Sequence, residues 1–246
     1  MARESKESGG EGSRLPSALR ALRHRNYRLF FGGQLVSLTG TWMQSVAQSW
    51  LVYRLTGSAV LLGFVGFSSQ IPVFLLATLG GTLADRVNRH RILITTQTLA
   101  MLMASTLAAL TLTGYVRVWH IFALAALLGT VNAFDMPARQ AFVVDMVGRD
   151  DLVNAIALNS SMFNGARLVG PAAAGVLVSI IGEGWCFFAN AVSYVAVITG
   201  LLLMRIERQR RVPLPGSALA SIARGSSSSA RPPPCARSCS CSGWSV

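Results

Sequence analysis

Two uncharged apolar runs, residues 59–83 and 92–113, are separated only by a short polar stretch. Each is about the 20 residues that a helix needs to cross a hydrocarbon layer. Neither carries the polar outer face that a soluble helical hairpin would present to water. Between them lie Asp85, Arg86, Arg89, His90 and Arg91, too many charges for hydrocarbon, so the chain surfaces there and turns back. Comparable runs at 27–53, 118–135, 155–181 and 185–204 bring the predicted spans to six. The pattern predicts an all-α membrane protein whose partner is the lipid bilayer, with the helical unit over residues 21–206.

Composition agrees: 52% of the 246 residues are hydrophobic and 13% are charged, too apolar for one globular core. The net charge of +12 first suggests a nucleic-acid partner, but its distribution argues for topology instead. With the N-terminus inside, cytoplasmic segments hold Arg20, Arg23, Arg25 and Arg28, then Arg86, Arg89 and Arg91, then Arg139 and Arg149, then Arg205, Arg208, Arg210 and Arg211. The outer turns hold only Arg54 and Arg117, so retention of cationic loops places both termini in the cytoplasm. Residues 1–20 are polar, rich in glycine and serine, and read as a disordered basic cytosolic tail rather than a cleaved signal.

Within the first span Gln34, Thr41 and Gln48 recur every seven residues, with Ser37, Gln44 and Ser45 in the intervening turns. Such a stripe serves either helix-to-helix hydrogen bonding or a water-filled path, and its extent favours the path. In the fifth span Ser160, Asn164 and Arg167 share a face ahead of Gly170 and Pro171, which suit a bend or a close backbone seam. Arg167 is the most deeply placed charge; it is either functional or snorkels to the cytoplasmic surface. At the end of the fourth span Asn132, Asp135 and Arg139 share a face and Pro137 is expected to interrupt the helix. Asp135 then caps a short surface helix, pairs with an arginine of the Asp85 loop, or does both. Arg149, Asp150 and Asp151 are expected to cap the fifth helix.

The stretch Gly81-x-Leu83-Ala84-Asp85-Arg86-x-Asn88-Arg89-x-Arg91 resembles the signature loop of the major facilitator superfamily of secondary transporters. Glycine is usual there where this chain has Asn88, and asparagine is the next most tolerant of a left-handed turn. The segments at 134–142 and 154–159, with Arg167-x-x-Gly170-Pro171, resemble the enterobactin-exporter-like branch. The resemblance implies six helices forming one half of a major facilitator fold, as two three-helix inverted repeats. It also implies an inner (plasma) membrane exporter that moves a small amphipathic molecule, such as a siderophore or drug, by alternating access. On this view Gly81, Asp85, Arg86, Asn88, Arg89 and Arg91 form a gating loop. Gln34, Gln44, Gln48, Asn164 and Arg167, with Thr41 of the same stripe, face the cavity, while Asp135 and Arg139 belong to a cytoplasmic charge network. Coupling to protons rests on kinship alone, since residues 118–134 lack the arginine of many proton-coupled relatives and offer only His120.

Such transporters pair two six-helix halves, and the chain supplies one. Residues 207–246 are basic and rich in serine and proline, cannot span a membrane, and read as a disordered cytosolic tail translated out of frame. A single lysine, Lys6, among 22 basic residues suggests GC-rich coding consistent with such a shift. Transport would then require the missing second half or a second copy, the alternative being a non-transporting membrane protein. Cys235, Cys239 and Cys241 fit no zinc spacing, so no metal and no cofactor are expected. No nucleophile stands beside a base, so an enzyme is not expected either.

Overall fold

The computed structural model describes residues 21–148 and 151–204. The basic N-terminal tail, Arg149 and Asp150, and the 207–246 tail with its cysteines lie outside them. Six helices follow in order: α1 (Arg25–Thr56), α2 (Ala59–Arg86), α3 (Arg89–Leu112), α4 (Val118–Val147), α5 (Leu152–Ile181) and α6 (Glu183–Leu202). Five of them, α2 to α6, are long and apolar enough to cross a membrane. α1 is less apolar than the other five: it carries Arg25, Arg28 and Arg54 near its ends and a run of amides and hydroxyls along its length.

The connections are short and locally determined. α1 ends on Gly57, whose left-handed backbone (φ 63°) lets its N–H reach the Tyr53 carbonyl at 2.8 Å. The cationic turn between α2 and α3 is tighter than expected, because Gly80–Arg86 is helical and only Val87 and Asn88 link the two helices. Asn88 is not left-handed: it sits at φ −64°, ψ 112° and its side-chain oxygen accepts the His90 N–H at 3.0 Å. Asparagine therefore replaces glycine here as an N-cap.

α2 lies along α4, α1 along α5 and α6, and α3 along α4 and α6. Glycines set several of these approaches. A Cβ on Gly170 of α5 would meet Trp42 Cβ at 2.5 Å and the Thr39 carbonyl at 2.9 Å, so α5 and α1 touch backbone to backbone. Gly80 of α2 packs on the Ala133 carbonyl of α4 so closely that no side chain fits between them. That carbonyl is the one Pro137, four residues later, cannot bond, so the Gly80 Cα approaches an acceptor that proline has freed. Pro137 accordingly does not end α4, which continues to Val147. The short surface helix, and Asp135 as its cap, are thereby corrected.

Candidate functional site

Asp135 lies on α4 one turn before Arg139 and is 2% exposed. Its Oδ1 accepts the Thr96 hydroxyl (2.7 Å) and the Gln97 amide (2.9 Å) from α3. Its Oδ2 pairs with the Arg139 guanidinium, which also donates to Gln34 Oε1 of α1 at 2.8 Å. Three helices thus converge on one buried ion pair. Asp135 pairs with Arg139 of its own helix and not with an arginine of the Asp85 loop, because the i, i+4 spacing delivers that guanidinium directly. Gln34 Nε2 and Arg139 Nε are buried without a hydrogen-bond partner.

The α1 stripe continues this polar seam. Gln44 accepts from the Asn190 amide of α6 at 2.6 Å, and Asn190 in turn accepts from Ser193 at 3.0 Å. Gly40 makes room for them, since a Cβ there would meet Asn190 Oδ1 at 2.5 Å. The Thr41 hydroxyl lies 3.4 Å from the Tyr194 hydroxyl. Gln34, Ser37 and Gln44 are buried between helices, so these members of the stripe serve helix packing rather than the open path expected for them. Gln48 is half-buried and Ser45 exposed.

Asn164 and Arg167 share the exposed face of α5 that their spacing predicted. Asn164 donates to the Ser160 carbonyl at 2.8 Å. The Arg167 guanidinium lies over the Trp42 ring, 5.5 Å from the centroid, and Phe163 meets the same ring edge-on at 5.6 Å. α5 runs unbroken through Pro171, and Gly170 is the close backbone seam described above.

Of the loop residues, Arg89 carries most of the contacts. Its Nη1 donates to both oxygens of Asp145 (2.8 and 2.9 Å) and to the Ala141 carbonyl (3.2 Å), tying the α2–α3 turn to the end of α4. Asp85 stands 3.7 Å from Arg89 with its side chain 77% exposed. Arg86, Asn88 and Arg91 are exposed and Gly81 is half-buried. His90 donates from Nε2 to the Leu201 carbonyl at 2.8 Å, fastening α3 to α6. Asp151 does begin α5, but its carboxylate bonds His24 (3.0 Å) and makes no side-chain cap. At the opposite ends of the helices, Arg54 pairs with the buried Glu183 at 3.1 Å. Among the described residues no cluster of His, Cys, Asp and Glu is arranged to hold a metal ion.

Thr96, Gln97, Asn190 and Tyr194 join these clusters without having been expected from the sequence. The available signal was the same as for α1: amides and hydroxyls inside apolar runs, notably the Thr-Thr-Gln-Thr at 95–98.

Comparison with known proteins adds a family to this geometry. The chain is 30% identical over 178 residues to the Staphyloferrin A transporter of Staphylococcus aureus, covering 72% of this chain and 45% of the relative. It is 26% identical to the Multidrug efflux pump Tap of Mycolicibacterium fortuitum (70% and 44% covered). It is 25% identical to the Macrolide efflux protein A of Streptococcus pyogenes (64% and 40%). The chain therefore spans less than half the length of these curated relatives. No solved structure gives a significant match. The profile of the transmembrane secretion effector family matches residues 16–227, and with its multi-pass apolar helices the chain belongs to that family of major facilitator transporters.

Proposed function

We propose that this bundle is one half of an exporter that moves a small amphipathic molecule, a siderophore or a drug, out of the cell across its plasma membrane. The observation that carries the reading is the family match over 16–227, joined to relatives that are a siderophore transporter and drug efflux pumps. The enterobactin-exporter-like branch is the part of that family its 134–142 and Arg167-x-x-Gly170-Pro171 segments resemble.

In this proposal all six helices cross the membrane. α1 does so because its polar stripe is satisfied between α4 and α6 instead of facing lipid. The packing supports two three-helix repeats. Exchanging α1–α3 for α4–α6 turns the α1–α5 pairing into α4–α2 and the α1–α6 pairing into α4–α3, both of which occur. The arginine-rich ends place both termini in the cytoplasm. A second six-helix unit, either a complementary half or a second copy, closes the path and alternates access across it. The Asp85–Arg91 loop then latches the cytoplasmic side, with Asp85 and Arg86 exposed at the turn and Arg89 holding the loop on α4. Export is driven by protons.

The test is uptake of labelled Staphyloferrin A and of a labelled macrolide, with and without a proton gradient, into everted membrane vesicles carrying the chain either as crosslinked pairs or together with the portion of the Staphylococcus aureus relative that it does not cover. Gradient-dependent uptake of either above empty-vector vesicles is expected. Uptake of neither, with the protein present in the membrane, would overturn the proposal.

A further inference from the structure

Five acids are described, and each has a basic partner: Asp85 and Asp145 with Arg89, Asp135 with Arg139, Asp151 with His24, and Glu183 with Arg54. Arg167 stands apart from this pattern. It occupies the middle of α5, about 22 Å of helix from either end at a rise of 1.5 Å per residue, where a charge is costly unless it is paired or hydrated. No acid among the described residues lies within ion-pair distance of it. Among the described residues its specific contact is the face of Trp42, also mid-helix, and a ring quadrupole attracts a cation without neutralising it.

The exposed surface around it is mixed, with Leu168 and Val169 beside polar and aromatic side chains. Ser160, Ser161 and Asn164 are exposed on the same helix, and Asn164 spends its amide donor on its own backbone. Phe163, 43% exposed, stands edge-on to Trp42 and extends the aromatic surface beside the guanidinium. The absence of a side chain at Gly170 lets α5 approach Trp42 at its Cβ. An aromatic wall thus sits next to a planar cation that presents paired N–H donors and has no acid partner among the described residues.

We propose that Arg167, Trp42 and Phe163 form the site that recognises an amphipathic carboxylate, with the guanidinium taking the carboxylate two-pronged and the rings taking its apolar body. This names the substrate class for the exporter reading above and rests on it. The missing counter-charge is supplied by the cargo, so the site selects anions over neutral or cationic molecules of the same shape.

The experiment is calorimetric titration of the full chain in lipid nanodiscs with 2-naphthoate and with its neutral isostere 2-naphthamide. Naphthoate is expected to bind about tenfold tighter. Arg167→Gln is expected to remove that preference while leaving naphthamide affinity unchanged, and Arg167→Lys to keep part of it, having the charge but not the fork. Should Arg167→Gln fail to fold, Arg167→Lys carries the test by a reduced but persistent preference. Equal affinities, no saturable naphthoate binding, as would follow if a second bundle's acid were the true partner, or an undiminished preference in Arg167→Gln would overturn the proposal. Binding is read without transport, so charge-selective binding by the chain together with no export by its crosslinked pairs or by its complemented form would overturn the exporter reading alone.

Discussion

Replacing Asp135 with asparagine removes one buried charge and little else. The asparagine oxygen can turn toward Arg139, while the Thr96 hydroxyl and a flipped Gln97 amide can accept from the new NH2. The hydrogen bonds survive and the electrostatic balance does not. Stripping one partner from a buried ion pair costs about 3–5 kcal/mol. The Arg139 side chain is 25% exposed and keeps Gln34 as a partner, which lowers the expected loss to about 2–3 kcal/mol. Interhelical hydrogen bonds in membrane bundles average about 0.6 kcal/mol, so a result of that size would mean that only hydrogen bonding was at stake. Reversible unfolding of the full chain in mixed micelles by increasing SDS, followed by helical circular dichroism, measures the difference. Arg139→Gln and the double variant complete a cycle, in which removing both charges should cost at least about 1 kcal/mol less than the sum of the two single losses. Asp135→Asn costing under about 0.5 kcal/mol, or single losses that simply add, would refute the ion pair as the element joining α1, α3 and α4.

The same unfolding assay discriminates among glycines. Gly80→Ala and Gly170→Ala press a methyl onto a neighbouring helix and should cost about 1–3 kcal/mol or more. Gly81→Ala and Gly165→Ala meet nothing within 4 Å and should show no such loss, so equal effects at all four would refute the seams. Asn88→Ala should cost about 1 kcal/mol through loss of the α3 cap, whereas Asn88→Gly should cost only about 0.3 kcal/mol; a larger loss for glycine would contradict the capping role. Asp85→Asn should abolish export while leaving membrane insertion intact, as judged by vesicle uptake and by the amount of protein in the membrane fraction. Full export by that variant would remove the latch assignment.

The apolar runs were legible because the hydrocarbon layer imposes one length and one polarity on every crossing helix. What they could not reveal was how far helices continue beyond the hydrocarbon. The charges of α4 beyond Asp135 looked like surface, yet the helix runs on to Val147, and the carbonyl that Pro137 leaves unbonded is approached by Gly80 from another helix. Asn88 was recognised as a glycine substitute but for a left-handed turn, whereas the short helix-to-helix link made a cap the better use of its side chain. The α1 stripe was correct as a pattern and ambiguous as a purpose. Its period identifies a face, and only the positions of Asn190 on α6 and Arg139 on α4 show that Gln44 and Gln34 are enclosed by neighbouring helices. Arg167 was picked out by its depth, by the face it shares with Ser160 and Asn164 and by the motif that carries the resemblance; its stacking on Trp42 depends on how closely Gly170 brings α5 to α1, which no local pattern encodes.

The central claim is that this bundle is one half of an exporter that works only when a second half closes the path. It is tested most directly by measuring labelled Staphyloferrin A uptake into everted vesicles carrying the chain at increasing density, and carrying it with the portion of the Staphylococcus aureus relative that it does not cover. The account predicts uptake either with that complementary portion or with crosslinked pairs of the chain, and none from monomers. Uptake that stays proportional to uncrosslinked monomer, or its absence in every arm, would contradict it.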